Sequence, residues 1–173
     1  FMDVPYLPFV SELSFGEHFA YRRRLAARLS LLKKSFPARE SLDTREILTA
    51  HLRGAERQML PIAREILLHD VYFSSFSEGR EKASPALRRY ASDAAFRYEL
   101  LQTARQARDG FLCIFSDRRG DVRFEIASPP DFAFSVRPCL AVDLAEHAYF
   151  YDFGFDREKY LVEAISRLNL SLL

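Results

Sequence analysis

The chain has four histidines, and three of them stand, with one aspartate, where folding can bring them to a single point: His18, His69, Asp143 and His147. Three imidazoles and one carboxylate form a mixed nitrogen and oxygen donor set that suits iron or manganese and leaves a position open for water or substrate. The same donors suit zinc, and spacing does not separate these metals. One histidine on an apolar helical face is ordinarily a core residue bonded to a backbone carbonyl. Two at the same end of a helical pair, facing the same way, point instead to a shared ligand. Asp143 precedes His147 by four residues at the end of an apolar run, so a chain leaving a strand can turn both side chains toward one place. Taken alone, that spacing is common. His51 lies far from His69 along the second helix and falls at the opposite end of the pair, which makes it structural or exposed.

The elements that must position these groups follow from hydrophobic period. Ser14-Phe15-Gly16-Glu17 has the form of a capping box, and Phe15, His18, Arg22, Leu25, Leu29, Leu32 and Phe36 recur at helical spacing up to Pro37. Asp43-Thr44-Arg45-Glu46 repeats the capping pattern ahead of Leu48, Leu52, Ala55, Met59, Ile62, Ile66, His69 and Phe73, with Pro61 expected to kink or split this helix near Met59. A short polar link joins the two helices as an antiparallel hairpin. His18 is expected in the first turn of one helix and His69 in the last turns of the other. After a hydrophilic stretch at 77–85, a helix containing Leu87, Ala91, Phe96, Leu100 and Leu101 precedes a change of period. Phe111 to Phe115 and the alternating Val122, Phe124 and Ile126 read as a hairpin, with a third strand near Pro138 to Asp143 and a terminal helix from Arg157 to Leu168. The fold class expected is α+β: a helical hairpin domain over 1–80, then an α/β half over 81–173 with a small three-stranded antiparallel sheet.

Composition narrows the partners. With 49% hydrophobic residues, 28% charged residues and a net charge of +1, the chain is globular, and its charge gives no reason to expect nucleic acid. No run of about 18 apolar residues suggests a membrane span, and residues 1–9 lack the pattern of a secretory signal. Cys113 and Cys139 lie in apolar runs and are expected as buried free thiols in a reducing, cytoplasmic setting.

Residues Asp143 to Phe150 read Asp-Leu-Ala-Glu-His-Ala-Tyr-Phe, with Arg157-x-x-Tyr160 following. Leu68 to Phe73 reads Leu-His-Asp-Val-Tyr-Phe, Asp109 to Ile114 reads Asp-Gly-Phe-Leu-Cys-Ile, and Val4-Pro5-Tyr6 stands near the start. On these segments the chain resembles the iron/manganese superoxide dismutase family. That family's counterparts are Asp-x-Trp-Glu-His-Ala-Tyr-Tyr, Arg-x-x-Tyr, Asn-His-Ser/Thr-x-Phe/Tyr-Trp, Gly-Ser-Gly-Trp-x-Trp-Leu and Leu-Pro-Tyr. The resemblance implies a homodimer that disproportionates superoxide, or acts on another small oxidant. It implies one iron or manganese ion per chain, iron slightly ahead, on His18, His69, Asp143 and His147. It gives Glu146 the role of reaching the partner subunit's His147, and sets Arg22, Tyr149 and Phe150 among the residues that back the ligands or meet the second subunit.

Several of the family's catalytic neighbours are replaced. The tyrosine at the substrate entrance falls at Ala26 or a near neighbour, two histidines become Arg22 and Arg23, and the tryptophan two residues before the last ligand is Ala145. The tyrosine that crosses the subunit interface is Phe150, and residues 127–131 hold no glutamine. Where iron-type members place a glutamine four residues before the second ligand, this chain has Glu65. One turn before His69, Glu65 either pairs with an arginine or faces the site as a catalytic group. In the second case it opposes deprotonation of a bound water, or ligates the metal itself. The cluster Arg22-Arg23-Arg24 is either a solvated helix face or an attractor for an anionic substrate. Three functions are compatible with this pattern: a superoxide dismutase, a metal-binding paralogue with little dismutase activity, and a non-enzymatic scaffold subunit. Ligand loss and a strong basic excess, expected of the scaffold, are not seen.

Overall fold

A computed structural model describes residues 7–78, 84–130 and 136–173. The Val4-Pro5-Tyr6 segment, Asp131 and the middle of the hydrophilic stretch, 79–83, lie outside the described residues. Helix α1 spans Glu12–Lys33 and starts before the expected box. Ser11 caps it, accepting a hydrogen bond from the Ser14 amide at 3.2 Å, and Glu12 places a negative charge against the helix dipole. Ser14 is therefore a buried residue inside the helix, and His18 belongs to the second turn rather than the first.

The second stripe is divided. Asp43 and Glu46 form the expected reciprocal cap, with bonds of 2.8 and 2.6 Å, but helix α2 covers only Thr44–Thr49. Ala50 turns to extended backbone, and Gly54 adopts a φ of +51° at the start of a 3₁₀ turn over Gly54–Gln58. Helix α3 then runs Met59–Phe73. The break lies at 50–53 rather than near Met59, where α3 begins, and Pro61 sits in the first turn of α3, where a missing N–H breaks no intrahelical bond. His51 is exposed in the gap. Leu25 and Leu29 of α1 pack on Met59, Ile62, Ala63 and Ile66 of α3, while His18 near the start of α1 meets His69 near the end of α3. The two helices are antiparallel.

Helix α4 (Asp93–Arg105), capped by Ser92, leads into strands β1 (Phe111–Ser116), β2 (Val122–Ala127) and β3 (Leu140–Asp143). The sheet is antiparallel in the order β2-β1-β3. Strand period decides which residues meet which layer. Leu112, Ile114, Leu140 and Val142 face a core built with α4 and with α6 (Arg157–Ser166). Phe111, Cys113 and Ala141 face the other way, onto Leu68, Val71 and Tyr72 of α3. Asp143 is two residues after Ala141 and pairs with Phe111, so the same alternation turns its carboxylate toward α3. A short helix α5 (Phe150–Phe153) connects to α6 and is tied to α1 by the Ser11 amide, which donates to Asp152 at 2.7 Å. Both cysteines are free; Cys113 is buried and Cys139 half-buried.

The turn into β1 depends on Gly110. Its φ is +92°, and a Cβ there would lie 2.6 Å from the carbonyl oxygen of Ala127. Its own carbonyl accepts from the Leu144 amide at 2.9 Å, one residue after the buried aspartate. Gly110→Ala is expected to destabilise the protein by about 1–3 kcal/mol. Gly16→Ala, on the exposed face of α1 with nothing within 4 Å, is expected to stabilise it by about 0.5–1 kcal/mol. Urea unfolding of the two variants checks both signs.

Candidate metal centre

Four elements each deliver one donor. His18 comes from α1, His69 from α3, Asp143 from the last position of β3, and His147 from a 3₁₀ turn over Glu146–Ala148. Asp143 Oδ2 lies 3.0 Å from Nε2 of His18, 3.0 Å from Nε2 of His147 and 3.4 Å from Nε2 of His69. The ligand atoms of the four residues all lie within 4.8 Å of one another. The ring of His18 stands nearly perpendicular to those of His69 and His147, at 84° and 78°, so the imidazoles approach from different directions.

Each donor is aimed by a neighbour. The Nδ1–H of His69 donates to the carbonyl of Glu65 at 2.7 Å, so in the neutral ring the Nε2 lone pair points into the cluster. Asp143 Oδ1 accepts from the Ala145 amide at 2.9 Å, which leaves Oδ2 for the imidazoles. The hydroxyl of Tyr160 donates to the Asp143 carbonyl at 2.7 Å and lies 3.3 Å from that of Tyr72. His18 is wedged by packing against Tyr72 and Phe73. Its Nδ1 and the Ser14 hydroxyl one turn earlier are buried without a hydrogen-bond partner.

The electrostatics favour a cation. Asp143 is fully buried. Burial alone would raise its carboxyl, but hydrogen bonds from His147 and His18 outweigh that and hold it far below the ordinary carboxylate range. His69 is pushed down to about 4, first by burial. Burial also lowers His147, yet the bond to Asp143 prevails and leaves it raised. A neutral His69 thus directs a lone pair at a carboxylate oxygen, two acceptors with no proton between them. A divalent ion satisfies both at once, and the donor types fit iron, manganese or zinc.

Glu65 is half-buried and is not one of the four donors. It accepts a hydrogen bond from Tyr21 at 2.7 Å rather than pairing with an arginine. The Tyr21 ring stacks on His147 with centroids 4.4 Å apart and lies 5.5 Å from His69. Ala26, the position the family register gives the entrance tyrosine, packs in the helical core. The family register points to Ala26 and does not single out Tyr21. The available signal was local: Tyr21 is three residues after His18 on the same helical face, opposite a carboxylate one turn before His69. Arg22 makes a two-point ion pair with Asp70, at 2.9 and 3.0 Å. Arg23 and Arg24 are exposed, with the Arg24 guanidinium 5.9 Å from the Tyr21 centroid. Tyr149 is buried and stacks on Tyr160, whereas Glu146 and Phe150 face solvent. A cleft of about 360 Å³ reaches His147, and its lining includes Tyr21, Glu65, Asp109 and Gly110.

The model for the iron/manganese superoxide dismutases, C-terminal domain, matches residues 81–172, just over half of the 173-residue chain. No curated protein matches the chain. The matched region supplies the sheet, Asp143 and His147, while α1 and α3 bring His18 and His69 to the same point; the chain belongs to the iron/manganese superoxide dismutase family.

Proposed function

We propose that this chain is a redox metalloprotein that binds one iron or manganese ion, iron by preference, through His18, His69, Asp143 and His147. The observation that carries this reading is the convergence of three imidazole Nε2 atoms on one oxygen of a fully buried carboxylate. Iron or manganese supplies a one-electron redox couple when bound there. The family's reaction, disproportionation of superoxide to oxygen and hydrogen peroxide, is the first activity to expect, and it consumes protons as well as electrons.

The protein's own groups at the mouth of the site are Tyr21, Glu65 and His147. Burial and then the bond to Glu65 raise the Tyr21 hydroxyl well above its ordinary range, so it stays a neutral phenol. Its proton is directed at Glu65, away from the cluster. That arrangement favours a second reading, a paralogue whose superoxide consumption is slow. An exposed aromatic group formed by Phe150, Tyr151 and Phe155 beside α5 supports a homodimer. Two free thiols suit the cytoplasm, and no helix among the described residues is long and apolar enough to cross a membrane.

Elemental analysis of the purified protein is expected to find about one iron or manganese per chain, and a His69→Ala variant is expected to keep its fold and lose the metal. Protein free of any transition metal would sink the proposal; zinc alone would leave the site and remove the redox reading. Glu65→Gln keeps an acceptor for the Tyr21 hydroxyl and removes one repelling charge. It is expected to raise superoxide consumption by about tenfold, measured by stopped-flow on metal-loaded protein.

The metal-free protein carries a pH signature of its own. Because burial lowers His69 from 6.5 to about 4, the unfolded chain takes up a proton in that window that the folded chain refuses. Stability from this residue is therefore complete above pH 6.5 and is lost as the pH falls toward 4. His147, being raised, acts in the opposite sense: its stabilisation is present at low pH and is lost as pH rises. Comparison with His69→Gln isolates the first effect. Relative to that variant, chelator-treated wild type is expected to lose roughly 3 kcal/mol between pH 6.5 and 4, read from urea midpoints at each pH.

A further inference from the structure

The space above the cluster is large for a diatomic substrate. A molecule of that size fills about the volume of a water, roughly 30 Å³. The cleft measures about 360 Å³, within the roughly 300–1,000 Å³ range of sites that enclose small organic molecules. Its walls include the rings of Tyr21 and Phe111 and the faces of Pro129 and Pro130, with the two carboxylates of Glu65 and Asp109 beside them.

Among the described residues, no lysine or arginine lines this cleft. Arg22 is held by Asp70, and Arg64 donates to the Pro130 carbonyl at 2.9 Å. Both acids act on the interior: after Asp143, Glu65 and Asp109 contribute to raising His147. A potential of this sign repels anions, and low-dielectric walls strengthen the effect.

We infer that the cleft binds a small organic cation, an ammonium group on an apolar or aromatic body, with the charge between Glu65 and Asp109 and the body against Tyr21, Phe111 and the two prolines. Of the metal-site reading, this inference needs only the placement of the bound molecule beside His147; binding itself requires no ion.

Three probes of one shape and different charge test it: benzylamine, benzyl alcohol and benzoate, titrated calorimetrically into the metal-loaded protein and into chelator-treated protein at neutral pH. Benzylamine is expected to bind about tenfold more tightly than benzyl alcohol in both samples, with benzoate weakest in the metal-free one. The isosteric double variant Glu65→Gln/Asp109→Asn is expected to bring benzylamine and benzyl alcohol within about twofold, and high salt is expected to shrink the gap in the wild type. Benzoate binding metal-free protein as tightly as benzylamine overturns the inference, as does a preference unchanged in the double variant, or failure of all three probes to bind. Metal content measured on the same samples reports separately on the metal site: charge selection without bound metal defeats that reading and leaves this one standing.

Discussion

A carboxylate with no solvent exposure is the constraint on which this structure turns. Removing an ionised group from water costs several kcal/mol even after relaxation, and Asp143 has no water to fall back on. Compensation comes from the imidazoles of His18 and His147 and from a backbone amide at Oδ1, while a tyrosine fixes the residue's backbone carbonyl. Helix α1, strand β3 and the turn after it are therefore bound to one point. Displacing any of them leaves a buried charge short of a partner.

The same constraint explains which features could be read in advance. The apolar stripe that carries His18 and the one that carries His69 are set by the 3.6-residue period, and the alternation along β3 decides which layer Asp143 faces; both periods are written in residue type. The identity of a helix cap is less visible, because Ser11 and Ser14 are equally good capping residues and tertiary contacts choose between them. Here the Ser11 amide is already bonded to Asp152 of α5, a partner 141 residues away. The break between α2 and α3 has a similar origin. Its apolar residues keep helical spacing, but Gly54 with its positive φ and the extended Ala50 interrupt the backbone that the spacing describes.

Tyr21 shows a further limit of reading by register. The family's entrance tyrosine has no counterpart at Ala26, yet an aromatic hydroxyl still stands over the cluster, reached from a position five residues earlier on the helix and matched by a carboxylate where a glutamine would be neutral. What did change is charge: the mouth of the cleft now carries Glu65 and Asp109 in front of Asp143. The donor set and its surroundings are thus separable, because the first is fixed by the buried carboxylate and the second only by what the cleft must admit.

The bond between His18 and Asp143 joins residues 125 apart in the chain, which has a kinetic consequence. Loop-closure entropy delays contacts of such separation until much of the intervening chain is already ordered. During synthesis, α1 and α3 can associate through Leu25, Leu29, Ile62 and Ile66 long before β3 exists, leaving His18 and His69 side by side without their carboxylate. Completion of the cluster therefore coincides with docking of the sheet onto α3. An ion that required all four residues would then report that the last half of the chain has reached its place.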